Sequence, residues 1–230
     1  MSRRIEEAMT MKKLTAILCA IAGLLLFAFA GCASDENFTE QSYASESGAV
    51  ERIVIDVTDR ELEITASEDD SVHIDYCDGE KEKLDISVSD DKQLSVGITV
   101  DKEWTDYIGF KPSAEYRKIK IKIPDNTIVS LSAATTNENI SISSLSLTES
   151  VSLNSNGGDV VCDRVGVGKS IDLTSKNGNI TGTIVGAMDD FAITCTIKKG
   201  DCNLPEKTEG GGKSLTADCN NGDIKIEFAE

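Results

Sequence analysis

The sequence predicts an all-β protein built as a single-domain β-solenoid, a β-helix-like stack of short strands in coils of 20 to 22 residues. Two patterns support this fold class. From residue 52 onward, apolar and polar residues alternate in short runs, as expected for strands that bury one face. In the second half, one phrase recurs in a fixed register at spacings of 20, 20, 22 and 22 residues, which is typical of stacked coils.

The composition agrees with this fold class and argues against one class of partner. Aromatic residues make up 5% of the 230 residues and prolines number 3, whereas glycines number 18, which suits short strands joined by tight turns. The formal net charge of −17 argues against nucleic-acid binding, because phosphate recognition needs clusters of Lys and Arg. It also argues against electrostatic docking to anionic lipid. No motif indicates a cofactor.

Residues 1–31 have the build of a secretory signal peptide. Two lysines precede an apolar run over residues 14–30 that ends in small residues. The segment FAGC (29–32) resembles the lipobox of bacterial lipoproteins, although Phe29 stands where Leu is usual. The resemblance implies cleavage before Cys32, lipidation of Cys32, and attachment to the extracytoplasmic face of the cell membrane. A plain transmembrane anchor and ordinary secretion are the alternatives.

Residues 32–50 are expected to form the lipidated cysteine and a disordered tether. The segment is polar, acidic and rich in serine, with no apolar period, so it buries too little surface to fold alone. Phe38 and Tyr43 are given no role in this interpretation. The folded domain is then expected to span residues 51–228.

The first half of the domain shows strand-like runs of alternating apolar residues, interrupted by acidic and glycine turns. These runs are Ile53-Ile55-Val57, Leu62-Ile64, Val72-Ile74-Tyr76, Leu84-Ile86-Val88, Leu94-Val96-Ile98 and Ile119-Ile121-Ile123. The first two runs fit the frame of the later repeats if Arg60 occupies the turn. The solenoid is therefore predicted to begin near residue 51 and to carry longer excursions in its middle.

The later repeats align on their turn residues, which are Glu138, Gly158, Gly178, Gly200 and Gly222. Seven positions before the turn stand Leu131, Val151, Ile171, Ile193 and Leu215, and two positions after it stand Ile140, Val160, Ile180, Cys202 and Ile224. Stacked coils would place each set in one interior column. Glycine at the turn permits a positive φ, so the turn at Glu138 is expected to differ. The exposed last coil needs a cap, which Phe228 is expected to supply.

Three segments carry a resemblance to a known family: IVIDVTDRELEI (53–64), KIKIKIPD (118–125) and the repeated NGD or NGN turns. They resemble a bacterial family labelled putative adhesin, or domain of unknown function, over about residues 50–228. The resemblance implies a β-solenoid fold. It implies no reaction and no ligand, because fold does not determine function.

Five cysteines follow Cys32, namely Cys77, Cys162, Cys195, Cys202 and Cys219. No CxxC pair occurs, and the single histidine supplies no zinc-finger spacing, so a metal site is not indicated. Four of the five fall on inward columns of the repeat, which predicts small core residues. A disulfide from Cys195 to Cys202 or Cys219 is the alternative. A Ser-His-Asp triad is not favoured, because His73 should face solvent from a strand.

One column of the repeat is polar and consists of Asn139, Asp159, Asn179, Asp201 and Asp223. These side chains follow the turn, where Asp and Asn bond to nearby backbone amides, so turn stabilisation is the favoured role. A weak calcium ladder of Asp159, Asp201 and Asp223 is the first alternative. A carbohydrate-cleaving row of acids is the second.

The segment 101–117 interrupts the strands and is the predicted surface for a ligand or partner. It contains the aromatic residues Trp104, Tyr107, Phe110 and Tyr116. Aromatic side chains on a loop stack on sugars or anchor a protein partner. The competing interpretation is that they cover one edge of the solenoid and block strand pairing there.

Together these features predict a membrane-anchored extracytoplasmic lipoprotein that acts as a non-enzymatic binding, adhesion-like or scaffolding module. Its partner would be a surface protein or a glycan. The alternatives are an enzyme acting on polysaccharide and an envelope-sensing accessory subunit of a membrane partner. An enzyme would need convergent acids and bases in a cleft, whereas the polar column looks uniform and the chain has 1 histidine.

Mass analysis of the mature N terminus tests the anchor. We expect residues 1–31 to be absent and Cys32 to carry acyl chains, because the lipobox-like segment places the cleavage directly before it. A mature protein that retains residues 1–31 and an unmodified Cys32 would contradict the lipoprotein prediction.

Overall fold

A computed structural model describes residues 38–101 and 112–229. The predicted signal peptide and Cys32 lie outside these residues, as do Trp104, Tyr107 and Phe110. The described chain forms sixteen strands in two eight-stranded sheets, and its helical content is confined to the short 3₁₀ turns Ala114–Arg117 and Met188–Asp190. Within the described residues, no helix has the length and apolarity to cross a membrane.

The strands of sheet A, in spatial order, are β1 (Thr39–Ala44), β4 (His73–Asp78), β7 (Lys118–Ile123), β3 (Glu61–Ala66), β9 (Ile140–Leu147), β11 (Val160–Val167), β13 (Ile180–Val185) and β16 (Ile224–Ala229). Those of sheet B are β14 (Phe191–Lys199), β15 (Lys213–Asn221), β12 (Ser170–Asn177), β10 (Ser150–Ser155), β8 (Ser130–Thr135), β2 (Arg52–Asp56), β6 (Gln93–Val100) and β5 (Glu82–Val88). The apolar residues of both sheets pack between them in one continuous core.

The predicted solenoid register is confirmed. Val151 lies opposite Leu131 on one side and Ile171 on the other, in parallel strands. The second column behaves in the same way, since Val160 lies between Ile140 and Ile180. The first strand pair belongs to the same stack, because β2 and β3 pair in parallel with β8 and β9. The coils therefore begin near residue 52, as the alternation predicts.

The spatial order of the last coils differs from their order in the sequence. Strand β15 lies between β12 and β14, and β16 pairs with β13. The last coil of the chain is thus inserted beside the coil of Gly178, and the coil of Gly200 ends the stack in sheet B. Phe228, which is expected to cap the last coil, lies in β16 at the end of sheet A, and its ring packs 5.8 Å from that of Phe191 in the end strand of sheet B.

The expected disordered tether over residues 32–50 is wrong for its second half. Residues 39–44 form β1, which pairs antiparallel with β4 and completes one edge of sheet A. Tyr43 packs against the core, and the ring of Phe38 stacks on that of Tyr116 with centroids 4.6 Å apart. The strand is polar and is recruited by backbone pairing rather than by an apolar face.

The middle of the chain adds a coil on the other side of β2 and β3. Strands β6 and β7 pair with them in parallel, and the segment 101–117 joins these two strands in the sequence. At the neighbouring turn, Arg60 is buried at 3% exposure and its Nη2 lies 2.6 Å from Oε2 of Glu82. The ion pair offsets the cost of burying the guanidinium of Arg60, which the repeat frame assigns to the turn.

A second column of polar groups lies inside the stack, three positions before the turns at Glu138, Gly158, Gly178 and Gly222. Its hydroxyls and thiol donate to turn carbonyls of neighbouring coils: Thr135 to Arg60 at 2.7 Å, Ser155 to Glu138 at 2.9 Å, Ser175 to Gly158 at 3.0 Å and Cys219 to Gly178 at 3.3 Å. All four residues are buried. Each donor has a partner, so the column avoids the cost of unpaired polar groups in the core.

Gly182 shows how closely the coils approach one another. It lies in β13 opposite Cys162, with a φ of +146°. A Cβ added there would lie 1.7 Å from the carbonyl oxygen of Cys162, so any side chain would force the coils apart.

We expect Gly182→Ala to lower the free energy of unfolding by about 3 kcal/mol or more, because it adds both a backbone penalty and a steric one. Chemical denaturation measures this change. Gly97→Ala in β6 is the matched control, since no heavy atom lies within 4 Å of its added Cβ. Equal losses in the two variants would contradict the close approach.

Candidate functional site

The predicted polar column forms a hydrogen-bonded ladder along one edge of the stack. Each Oδ1 accepts the backbone N–H of the next member: Asn139 from Asp159 at 2.8 Å, Asp159 from Asn179 at 2.7 Å, Asn179 from Asp223 at 2.9 Å and Asp223 from Asp201 at 2.9 Å. The column that the repeat frame predicts therefore exists, and its oxygens join neighbouring turns. This geometry favours turn stabilisation.

The geometry gives less support to a calcium ladder. Asn179 separates Asp159 from Asp223, so only Asp223 and Asp201 are neighbouring carboxylates. The Oδ1 atoms of Asp159 and Asp223 already accept N–H donors, and calcium needs six to eight oxygen ligands. Within residues 38–101 and 112–229, no group of three His, Cys, Asp or Glu side chains is arranged to hold a metal ion.

The prediction that the inward cysteines are small core residues is confirmed for three of them. Cys162 and Cys219 are fully buried and Cys195 is 6% exposed, whereas Cys202 is only partly buried. Burial raises the pKa of the Cys162 thiol to about 12. A thiol in that environment stays protonated at neutral pH and is a poor nucleophile.

His73 lies on the outer face of β4, the solvent-facing side that the alternation predicts. Its Nε2 is 2.9 Å from Oδ1 of Asp69, and the hydroxyl of Ser67 donates to the same oxygen at 3.0 Å. The bond to His73 is the main cause of a lowered pKa of Asp69. Asp69 thus stands between the imidazole and the hydroxyl, whereas a nucleophilic triad needs the imidazole in the middle.

The segment 101–117 is held at both of its ends. The N–H of Asp101 donates to the carbonyl of Lys81 at 2.8 Å. At the other end, Arg117 donates from Nε to the carbonyl of Pro112 at 2.9 Å and forms an ion pair with Glu138. Glu138 is the residue that replaces glycine in the first later repeat, and its side chain anchors this segment. The sequence shows that Glu138 departs from the glycine of the other turns, but it does not indicate that Arg117 is the partner of this side chain.

Tyr116 is the one member of the predicted aromatic surface that the described residues include. It lies in the 3₁₀ turn Ala114–Arg117, where its ring stacks on Phe38 at an interplanar angle of 7°. The stack covers the start of edge strand β1. For this residue, the geometry favours the edge-covering role over a free binding ring.

Beside this stack lies an open groove of about 570 Å³ on the outer face of sheet A, over β1, β4, β7 and β3. We call it the outer groove. Its charged lining residues are Glu40, Glu63, Asp75, Glu115, Lys118 and Lys120. Sequence reasoning missed it, because the groove exists only once polar β1 joins the sheet.

The outer groove combines acids and lysines in one small area. Nζ of Lys118 lies 3.2 Å from both Glu61 and Glu63, whose hydrogen bonds raise the pKa of the ammonium. Lys120 is exposed and lies in register between Glu63 and Asp75. Such alternating donors and acceptors suit a ligand that hydrogen-bonds in both senses, such as a hydroxyl-rich glycan or a polar peptide.

The ladder can be tested by replacing its three acids with asparagine. In Asp159→Asn/Asp201→Asn/Asp223→Asn, each amide oxygen can still accept, as Asn139 and Asn179 do. We expect the free energy of unfolding to stay within about 1 kcal/mol of wild type, and the triple alanine variant to lose about 2 kcal/mol or more. Denaturation with and without Ca²⁺ measures both. A calcium-dependent stabilisation that the asparagine variant lacks would show that the carboxylates bind calcium.

Comparisons with known proteins agree with this architecture. The family described as Toastrack DUF4097 matches residues 50–230. Among solved structures, a putative cell adhesion protein from Clostridium sporogenes ATCC 15579 is 13% identical, with a TM-score of 0.55 over 84% of this chain and 100% of that chain. A putative adhesin from Bacteroides fragilis NCTC 9343 is 15% identical, with a TM-score of 0.33 over 86% of this chain and 100% of that chain. No curated protein matches the chain significantly.

The family match covers most of the chain, and the clostridial structure shares the fold at low sequence identity. Together with the parallel coil register, these findings identify the architecture predicted from the repeats. The chain belongs to the Toastrack DUF4097 family.

Proposed function

We propose that the protein is a lipid-anchored, extracytoplasmic binding module that uses the outer groove and the adjoining segment 101–117 to hold a surface protein or glycan. The observation that carries the proposal is the position of the groove. It lies beyond the regular coils, where β1 and β4 extend sheet A beside the turn Ala114–Arg117, and acids and lysines line it together.

The polar groups in the regular part of the stack support the choice of the groove as the binding site, because they bond to the backbone of the coils. The Asp and Asn oxygens of the ladder accept backbone N–H groups, and the interior hydroxyls donate to turn carbonyls. These groups maintain the coils. A binding role is therefore assigned to the groove, and no catalytic step is proposed.

The anchor is part of the same proposal. The lipobox-like segment at 29–32 supplies a diacylated Cys32, and residues 33–37 link it to the domain. Stable membrane attachment needs two hydrocarbon chains, which a diacylated cysteine provides. The groove would then lie near the membrane, since β1 is the first strand after the anchor. The clostridial structure, called a putative cell adhesion protein, fits a surface location.

A photo-crosslinking amino acid at Lys120 tests the groove in intact cells. Lys120 is exposed on the outer face of sheet A within the groove. Ser132 is exposed on sheet B and serves as the matched control. We expect a discrete crosslinked species from position 120, and little or none from position 132.

The crosslinked partner is then identified by mass spectrometry and by its sensitivity to glycosidases. Equal crosslinking from both positions, or from position 132 alone, would contradict the assignment of the groove. Lys120→Glu should reduce recovery of the same partner in pull-downs about tenfold, because it inverts the charge at the centre of the groove.

A further inference from the structure

The terminal coil in sheet B brings two cysteines together. Cys195 lies in β14, and Cys202 follows the turn at Gly200 on the opposite wall, where it bridges to Ile224 of sheet A. Their Sγ atoms are 2.8 Å apart. This separation is about 0.8 Å longer than an S–S bond, so a small side-chain movement would join them.

The chain that follows Cys202 folds back across the free edge of β14. The N–H of Cys195 donates to the carbonyl of Glu206 at 2.8 Å, and the N–H of Thr208 donates to the carbonyl of Ile193 at 2.9 Å. The hydroxyl of Thr208 accepts from the N–H of Ile193 at 2.9 Å. We call residues 204–209 the edge cap. It satisfies backbone groups that would otherwise be open to pairing with another chain.

The geometry favours Cys202 over Cys219, the other disulfide partner that the sequence allows for Cys195. Cys219 lies opposite Ile197 in register, and its thiol donates to the carbonyl of Gly178, on the side away from β14. It belongs to the interior column that Thr135, Ser155 and Ser175 occupy in other coils. Cys195 instead has its short contact with Cys202.

We propose that Cys195 and Cys202 form an intramolecular disulfide that locks the terminal coil and holds the edge cap against β14. The bond would join the two walls of a coil that has a neighbour on one side only. It would act at the end of the stack, where β14 pairs with β15 on one side only.

The reaction is a thiol–disulfide exchange with an external disulfide, such as oxidised glutathione or an oxidised thiol–disulfide oxidoreductase. The partly exposed thiolate of Cys202 attacks one sulfur of that disulfide and releases the first thiolate. The thiolate of Cys195 then attacks Sγ of Cys202 and releases the second. One external disulfide is reduced to two thiols, two protein thiols become one disulfide, and their two protons pass to the released thiolates.

Burial supports this order of attack. It is the main cause that raises the pKa of the Cys195 thiol, so this cysteine is the less ready of the two to attack first. Closure should therefore accelerate as the pH rises, because it needs the Cys195 thiolate.

Peptide mapping of the full-length protein, purified in detergent and treated with oxidised glutathione, tests the proposal. Trypsin can cut after Lys199 and Lys213, which places Cys195, Cys202 and Cys219 in three separate peptides. We expect the peptides of Cys195 and Cys202 to be joined, and two fewer thiols to react with an alkylating agent after denaturation. Because the protein is purified and the oxidant is added, the outcome does not depend on the cellular location proposed above.

Single serine variants provide the controls. Cys219→Ser should still form the Cys195–Cys202 bond, since serine already occupies that interior column at Ser155 and Ser175. Cys202→Ser and Cys195→Ser should lose it. Retention of all thiols in the wild type, or a joined peptide that contains Cys219, would overturn the proposal even if one serine variant failed to fold.

Hydrogen exchange tests separately whether the disulfide holds the edge cap against β14. Hydrogen exchange of the β14 amides that bond to the edge cap should slow by about tenfold or more when the wild type is oxidised, and should not change when Cys202→Ser is treated in the same way. A disulfide that forms without slowing this exchange would show that it does not hold the cap.

Discussion

Backbone hydrogen bonds between parallel coils are the interaction on which the rest of this structure depends. They fix each strand in register with its neighbour, so that Val151 stands between Leu131 and Ile171. Shifting one strand by a single residue would turn its apolar face to solvent. The outer Asx ladder and the inner hydroxyl column follow from the same register, because both join equivalent positions of adjacent turns. These ladders in turn make a shifted register more costly, since their donors would lose their partners.

The coils and their interior columns were predictable because period-two alternation and a repeated turn determine which residues face inward. The order of the last coils was not predictable in this way. Every coil offers the same apolar columns and the same Asp or Asn, so the sequence does not indicate whether β12 pairs with β14 or with β15. Strand β1 was missed for a different reason. Its recruitment depends on the open backbone edge of β4, and its own residues show no apolar alternation.

The candidate site was predictable only in part, for related physical reasons. The acids and lysines of β3 and β7 alternate visibly in the sequence, yet the groove they line also needs β1 and β4. Tyr116 was singled out as an exposed aromatic, but its ring stacks on a residue assigned to the tether. The sequence left two alternative disulfide partners for Cys195, namely Cys202 and Cys219. Choosing between them requires knowing which strand pairs with β14, and the repeat frame does not give the spatial order of the coils.

The inserted position of the last coil has a consequence for how the chain completes its fold. Strands β8 through β13 can each stack on an existing neighbour as the chain is made or translocated from its N terminus. Strand β14 cannot, because β15 must first occupy the place between it and β12. Residues 191–199 therefore cannot join sheet B until residues 213–221 have been made, although the edge cap can already pair with their other edge. Strand β15 thus closes sheet B from within, and its loss would separate β14 from β12 instead of removing an edge strand.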